Sequence, residues 1–282
     1  MRRSYLFVPA NRPKMYGHAE RSEADALVLD LEDAVPPAEK TAARETVIAT
    51  FGALSAPDER VFIRVNAEPG LQEADLQLAS RLPLAGLLVP KVESPADLAR
   101  VADWLAARPA DAQGHHPVIV ALLETPRGIL EASHVAFTGH PHLSALAFGA
   151  EDYRAAMGVD SSEIADDSPL LDYARATVTT AAAAAGLDAI DCPTFDFRDP
   201  ERVRQDTRRA RRFGFRAKFA IHPNQIAPIH EVLSASPEAR AWALRVIDAY
   251  DAAARAGRGT TQVDGRMIDT PTVQRARAIL GE

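Results

Sequence analysis

Short apolar runs, each closed by polar residues and separated from the next by a segment able to form a helix, set the strongest limit on what this chain can fold into. They are Ser4–Val8, Ala26–Asp30, Val61–Val65, Gly86–Val89, Val118–Leu123, Leu143–Phe148, Ala189–Asp191 and Ala217–Ile221. Runs of this kind, bounded by turn signals, read as strands buried on both faces, and such strands belong to parallel sheets covered by helices. Helices are expected at Pro13–Ser22, Ala38–Phe51, Leu71–Ser80, Pro95–Ala107, Asp167–Gly186, Pro200–Phe213 and Pro237–Ala256. Pro95 suits a helix start, where its missing N–H does no harm. Gly186 suits the position just past a helix end. Eight βα units in 282 residues predict a closed (β/α)8 TIM barrel rather than an open sheet, since such a barrel typically takes about 250 residues.

The barrel is expected to occupy residues 1–257. Arg255–Gln262 has no apolar period and reads as a mobile segment, with a last helix from about Pro271. Residues 258–282 are not needed to close a barrel, so they are free to act as a lid or to reach a neighbouring subunit. The 32 basic and 39 acidic residues leave a net charge of −7, which argues against nucleic acid or an anionic membrane surface as partner. Cys192 is the single cysteine, so no intrachain disulfide is possible. No apolar stretch is long enough for a membrane helix, and the first residues lack the apolar core and cleavage site of a secretory signal. A cytoplasmic protein is expected.

Charged residues cluster where the strands end. The first run is followed by Asn11, Arg12 and Lys14, the second by Asp30, Glu32 and Asp33, the fourth by Lys91, and the eighth by His222 and Asn224. In a barrel these positions share the C-terminal rim, where the active site of the fold lies. Glu124 follows the fifth strand, and Glu151 and Asp152 follow the sixth. Two carboxylates on successive strands suit Mg²⁺, which takes one or two and leaves its other positions to water and substrate. The alternative is that these acids cap or start the following helices. Arg64 lies inside the apolar run VFIRV, where an unpaired guanidinium is costly, so it must meet a carboxylate, either Glu32 or a ligand's.

Other features carry less. His115 with His116, and His140 with His142, lie in loops at the opposite strand ends and have no third ligand. Cys192 reads as a small buried residue. The arginines from Arg202 to Arg216 read as a solvated helix face. No glycine-rich nucleotide motif is present.

The segments YLFVPANRPKM, ALVLDLEDAV, VFIRVNAEPG, LLVPKVES, VALLETPRGI, AFGAEDY, GFRAKFAIHPNQI and DGRMIDTP occur in this order. Together they resemble the citrate lyase beta-subunit and malyl-CoA lyase branch of the HpcH/HpaI aldolase family, over nearly the whole chain. The resemblance implies a TIM barrel, a homotrimer or hexamer, Mg²⁺ as cofactor, and making or breaking of a carbon–carbon bond beside a thioester. It implies Glu124 and Asp152 as metal ligands and Arg64 as the holder of the oxoacid end of the substrate. It gives Asp269 as a catalytic acid/base delivered from a neighbouring subunit. Asn11, Arg12 and Lys14 would lie near the CoA phosphates. Apart from the resemblance, Glu32 and Asp33 would orient Arg64 or hold waters around the ion; for Asp33, a helix-start acid before Pro36 is the alternative. The stretch after Asp152, MGVDSSEIADDSPLLDYARA, departs from the arginine- and glycine-bearing sequence of the branch.

The expected reaction is cleavage of malyl-CoA, citramalyl-CoA or a related 3-hydroxy-3-carboxy acyl thioester to an oxoacid and acetyl-CoA. Two alternatives remain open. One is a malyl-CoA thioesterase. The other is a citrate lyase subunit taking citryl groups from an acyl carrier protein.

Overall fold

The computed structural model describes residues 2–51, 60–108, 116–159 and 168–281. His115, and the start of the helix expected from Asp167, lie outside the described residues. Eight strands close a parallel barrel in chain order: β1 (Ser4–Pro9), β2 (Ala26–Asp30), β3 (Val61–Arg64), β4 (Gly86–Val89), β5 (Val118–Leu123), β6 (Leu143–Phe148), β7 (Asp188–Asp191) and β8 (Ala217–Ala220). The helices between them are α1 (Pro13–Glu20), α2 (Lys40–Phe51), α3 (Pro69–Ala79), α4 (Pro95–Ala106), α5 (Pro126–Leu130), α6 (Ala132–Ala136), α7 (Ala150–Met157), α8 (Pro169–Ala184) and α9 (Pro200–Phe213), and α10 (Ile226–Leu233) follows β8. No described helix is long and apolar enough to cross a membrane.

Alternate residues of each strand point into the barrel and fill it. Tyr5, Val28, Phe62, Leu88, Val120 and Phe219 belong to one buried cluster there, with the Tyr5 and Phe62 rings edge to face at 5.3 Å. The barrel is therefore a packed core, and ligands can reach only its ends. The helices bury their apolar stripes on the outside of the sheet. On α8 these are Leu171, Ala174, Val178 and Ala182, at helical spacing. On α9 they are Val203, Thr207 and Ala210, and the arginines of the opposite face meet water and surface acids, as in Arg208–Glu201 and Arg209–Asp172.

Compact units divide at residue 231, so the second unit, Val232–Glu282, takes in α11 (Pro237–Arg255) as well as the tail. The expectation had placed this boundary at 257. The reason is packing: Ala243 and Val246 of α11 form one buried cluster with Ile268, Val273 and Ala276. The segment read as mobile is also partly ordered. Thr261 and Gln262 begin β9 (Thr261–Val263), which pairs antiparallel with β10 (Arg266–Ile268), and α12 (Thr270–Leu280) follows. Asp264 and Gly265 both have positive φ, as a tight hairpin turn requires.

Candidate active site

Strand register brings the rim residues together. Asp30 ends β2 and Arg64 ends β3, and the two are register partners. Arg64 Nε and Nη2 donate to the two Asp30 carboxylate oxygens at 2.8 and 2.6 Å. The first partner of Arg64 is thus Asp30 rather than Glu32, because neighbouring strands present these two side chains side by side. Glu32 comes second, with Oε2 at 3.0 Å from Arg64 Nη1, and Asp33 Oδ2 lies at 3.6 Å. Fork-to-fork pairing fixes the plane of the guanidinium and uses two of its five N–H donors. Burial lowers the Arg64 pKa, but Asp30 and Glu32 more than offset this and hold it above its ordinary value.

Leu123 and Phe148 are register partners at the ends of β5 and β6, so Glu124 and Gly149 come next to each other. Glu124 is 2% exposed, and its Oε1 accepts the backbone N–H of Lys91 at 2.9 Å. Thr125, not Glu124, caps α5, accepting from the Gly128 N–H. The capping alternative therefore falls away for Glu124. Asp152 does lie in the first turn of α7, whose N-cap is Gly149. Its neighbour Glu151 is ion-paired to Arg154.

Asp30, Arg64, Glu124 and Asp152 line one cavity of about 430 Å³, whose other walls include Phe7, Leu122, Phe148 and Phe219. Burial first, then the charges of Glu32 and Asp152, push the Glu124 carboxyl up to about 8. Burial likewise pushes Glu32 up to about 7, against the pull of Arg64 and Lys91. Carboxylates pressed together in a dry site are what a bound cation relieves. Glu32 Oε2 is buried and accepts no aligned hydrogen bond, which leaves it open to a further donor. The residues present therefore fit a hard divalent cation on Glu124 and Asp152. Among the described residues no three Asp, Glu, His or Cys side chains are grouped to hold an ion.

Gly149 matters for space. A Cβ there would lie 2.5 Å from Glu124 Cβ and 2.6 Å from Glu124 Oε2. Gly149→Ala is therefore expected to turn Glu124 away and lower Mg²⁺ affinity by about ten-fold or more, with about 1–3 kcal/mol of overpacking cost. Calorimetric Mg²⁺ titration and thermal melts measure the two effects. Unchanged Mg²⁺ affinity would count against Glu124 as a ligand.

The other expected residues are placed as follows. Asn11 donates from Nδ2 to Glu39, while Arg12 and Lys14 are exposed at the start of α1. Asp269 caps α12 in the second unit, accepting the Thr272 N–H at 3.1 Å and the Thr272 hydroxyl at 2.7 Å. Asp191, which ends the seventh apolar run and so β7, is fully buried. It takes Arg175 Nε at 3.0 Å and Lys218 Nζ at 2.7 Å, and Lys218 also reaches Asp206 at 2.8 Å. This network braces the barrel wall, and it was hidden because Arg175 lies in an alanine-rich helix. Cys192 is buried beside it, and burial pushes its thiol up to about 12, so it is no nucleophile. The His116 and His142 rings sit 5.0 Å apart before β5 and β6, away from the rim.

A (β/α)8 barrel with a buried guanidinium and clustered carboxylates around a rim cavity is the frame of an enzyme that handles an anionic substrate beside a cation. The family model for HpcH/HpaI aldolase/citrate lyase matches residues 3–223, and the chain belongs to that family. It is 34% identical to the mitochondrial citramalyl-CoA lyase of Homo sapiens, over 98% of this chain and 84% of that one. It is 36% identical to the citrate lyase subunit beta-like protein of Deinococcus radiodurans, over 99% and 96%. The solved structure of CitE from Mycobacterium tuberculosis in complex with magnesium, acetoacetate and coenzyme A matches with a TM-score of 0.79 at 33% identity. That match covers 99% of this chain and 98% of that one.

Proposed function

We propose that this chain is a Mg²⁺-dependent carbon–carbon lyase that cleaves, or forms, a 3-hydroxy-3-carboxy acyl-CoA thioester such as malyl-CoA or citramalyl-CoA. The products are an oxoacid and acetyl-CoA. One observation carries the reading: Arg64, Glu124 and Asp152 line the same rim cavity. Glu124 and Asp152 would hold the ion. When bound, Mg²⁺ supplies Lewis-acid polarisation of the oxygen on the carbon being cleaved. Arg64, with its plane fixed by Asp30, keeps N–H donors for the substrate carboxylate and so orients the bond for scission. Phe7, Leu122 and Phe148 exclude water from the thioester enolate. Asp269 exchanges the proton at the carbon beside the thioester, across a subunit boundary. The exposed Arg12 and Lys14, with Asn11, offer the CoA phosphates a cationic edge.

The reading includes a homotrimer or hexamer, supported by the exposed apolar Leu130, Met157 and Tyr173 on α5, α7 and α8 and Phe137 just past α6. A cytoplasmic location agrees with the single cysteine. Purified protein with Mg²⁺ and malyl- or citramalyl-CoA is expected to release oxoacid and acetyl-CoA in equal amounts, and to stop on EDTA addition. Free malate or citramalate with CoA would assign a thioesterase instead. Silence on every CoA ester, with activity on citryl-acyl carrier protein, would assign a citrate lyase subunit.

A further inference from the structure

Lys91 has no part in the reaction just described, yet the rim is built around it. Its φ is +53°, a region that side chains other than glycine rarely adopt. Such an outlier persists only where its surroundings hold it, and it clusters at functional sites. The surroundings are visible. The Lys91 backbone N–H donates to Glu124 Oε1 at 2.9 Å. Its Nζ donates to Glu32 Oε1 at 2.6 Å and lies 3.5 Å from Asp33 Oδ1. The next residue, Val92, donates its N–H to Leu122 O of β5 at 3.1 Å, which ties the turn to the strand that carries Glu124. Glu32 in turn sets its other oxygen against Arg64 Nη1. One residue thus joins both halves of the site, the carboxylate through its backbone and the guanidinium through its ammonium.

We propose that Lys91 is a positioning residue with two separable roles. Its left-handed backbone aims Glu124 at the ion, and its ammonium holds Glu32 against Arg64 so that the guanidinium is set for the oxoacid carboxylate. The proposal rests on the lyase reading above. Substitution separates the roles, because glycine adopts this φ without strain and keeps the N–H, but removes the ammonium. Arginine keeps a cation.

The test uses the full-length protein, with Mg²⁺ alone and then with Mg²⁺ plus pyruvate or glyoxylate, read by calorimetry beside thermal melts. Lys91→Gly is expected to melt no lower than wild type and to bind Mg²⁺ within about three-fold of it. Its affinity for the oxoacids is expected to fall by about ten-fold or more. Lys91→Arg is expected to recover most of that loss. A merely structural lysine would give the opposite pattern, with stability and both affinities falling together, and that result overturns the proposal. So does oxoacid binding by Lys91→Gly at wild-type strength, or a Lys91→Arg variant no better than Lys91→Gly. Wild-type protein that binds neither oxoacid with Mg²⁺ present would remove the lyase reading itself along with this role, which keeps the two failures apart.

Discussion

Replacing Glu124 with Gln is expected to slow turnover by on the order of a thousand-fold, and yet to raise the melting temperature of the metal-free protein. Both effects come from one carboxylate. Glu124 is almost fully buried beside Glu32 and Asp152, and its carboxyl rises from an ordinary 4.5 to about 8. Between those two values the folded chain holds a proton that the unfolded chain has released. Stability of the metal-free protein therefore falls as pH rises through that window, by on the order of 3 kcal/mol by pH 7. Glutamine keeps the shape and has no proton to lose, so its curve is flatter. Saturating Mg²⁺ reverses the ranking, because the ion binds the charged carboxylate and stabilises only the wild type. Melts from pH 5 to 8.5, in EDTA and in Mg²⁺, show both effects. A Gln variant that binds Mg²⁺ as the wild type does would remove Glu124 from the metal site.

The barrel could be read from the sequence because each strand is an apolar run with its own turn signals, and β2, β4, β5 and β6 have the expected bounds. Strand ends are local facts, so the rim could be read with them. What lay beyond reach was which rim groups pair. Arg64 was expected to meet a carboxylate, but the choice of Asp30 depends on the register between β2 and β3. The burial of Asp191 depends on Arg175 and Lys218, which come from α8 and β8 and meet only in the closed barrel. The space that Gly149 leaves for Glu124 has the same origin. The β9–β10 hairpin is different. Asp264–Gly265 is a strong hairpin signal, but the strands beside it are only three residues long and carry little apolar pattern.

Asp269→Asn separates a cap from a catalyst. Asp269 accepts two hydrogen bonds from Thr272, and these hold its carboxyl below the usual carboxylate range. At neutral pH it is therefore an anion, the form that removes a proton from the carbon beside a thioester. Asparagine caps a helix about as well as aspartate, so the variant is expected to melt like the wild type and to bind Mg²⁺ and oxoacid normally. Turnover is expected to fall by about 10²–10⁴-fold, the usual worth of a positioned acid or base. Near-normal turnover would leave Asp269 with the cap alone. Mixed oligomers then ask which chain supplies the group. Refolding Asp269→Asn together with Glu124→Gln puts one lesion in every chain. If each site combines its own Glu124 with a neighbour's Asp269, about one site in four in a cyclic ring regains both groups, and activity returns. If Asp269 serves its own chain, every site stays broken, and the mixture is as inactive as either variant alone.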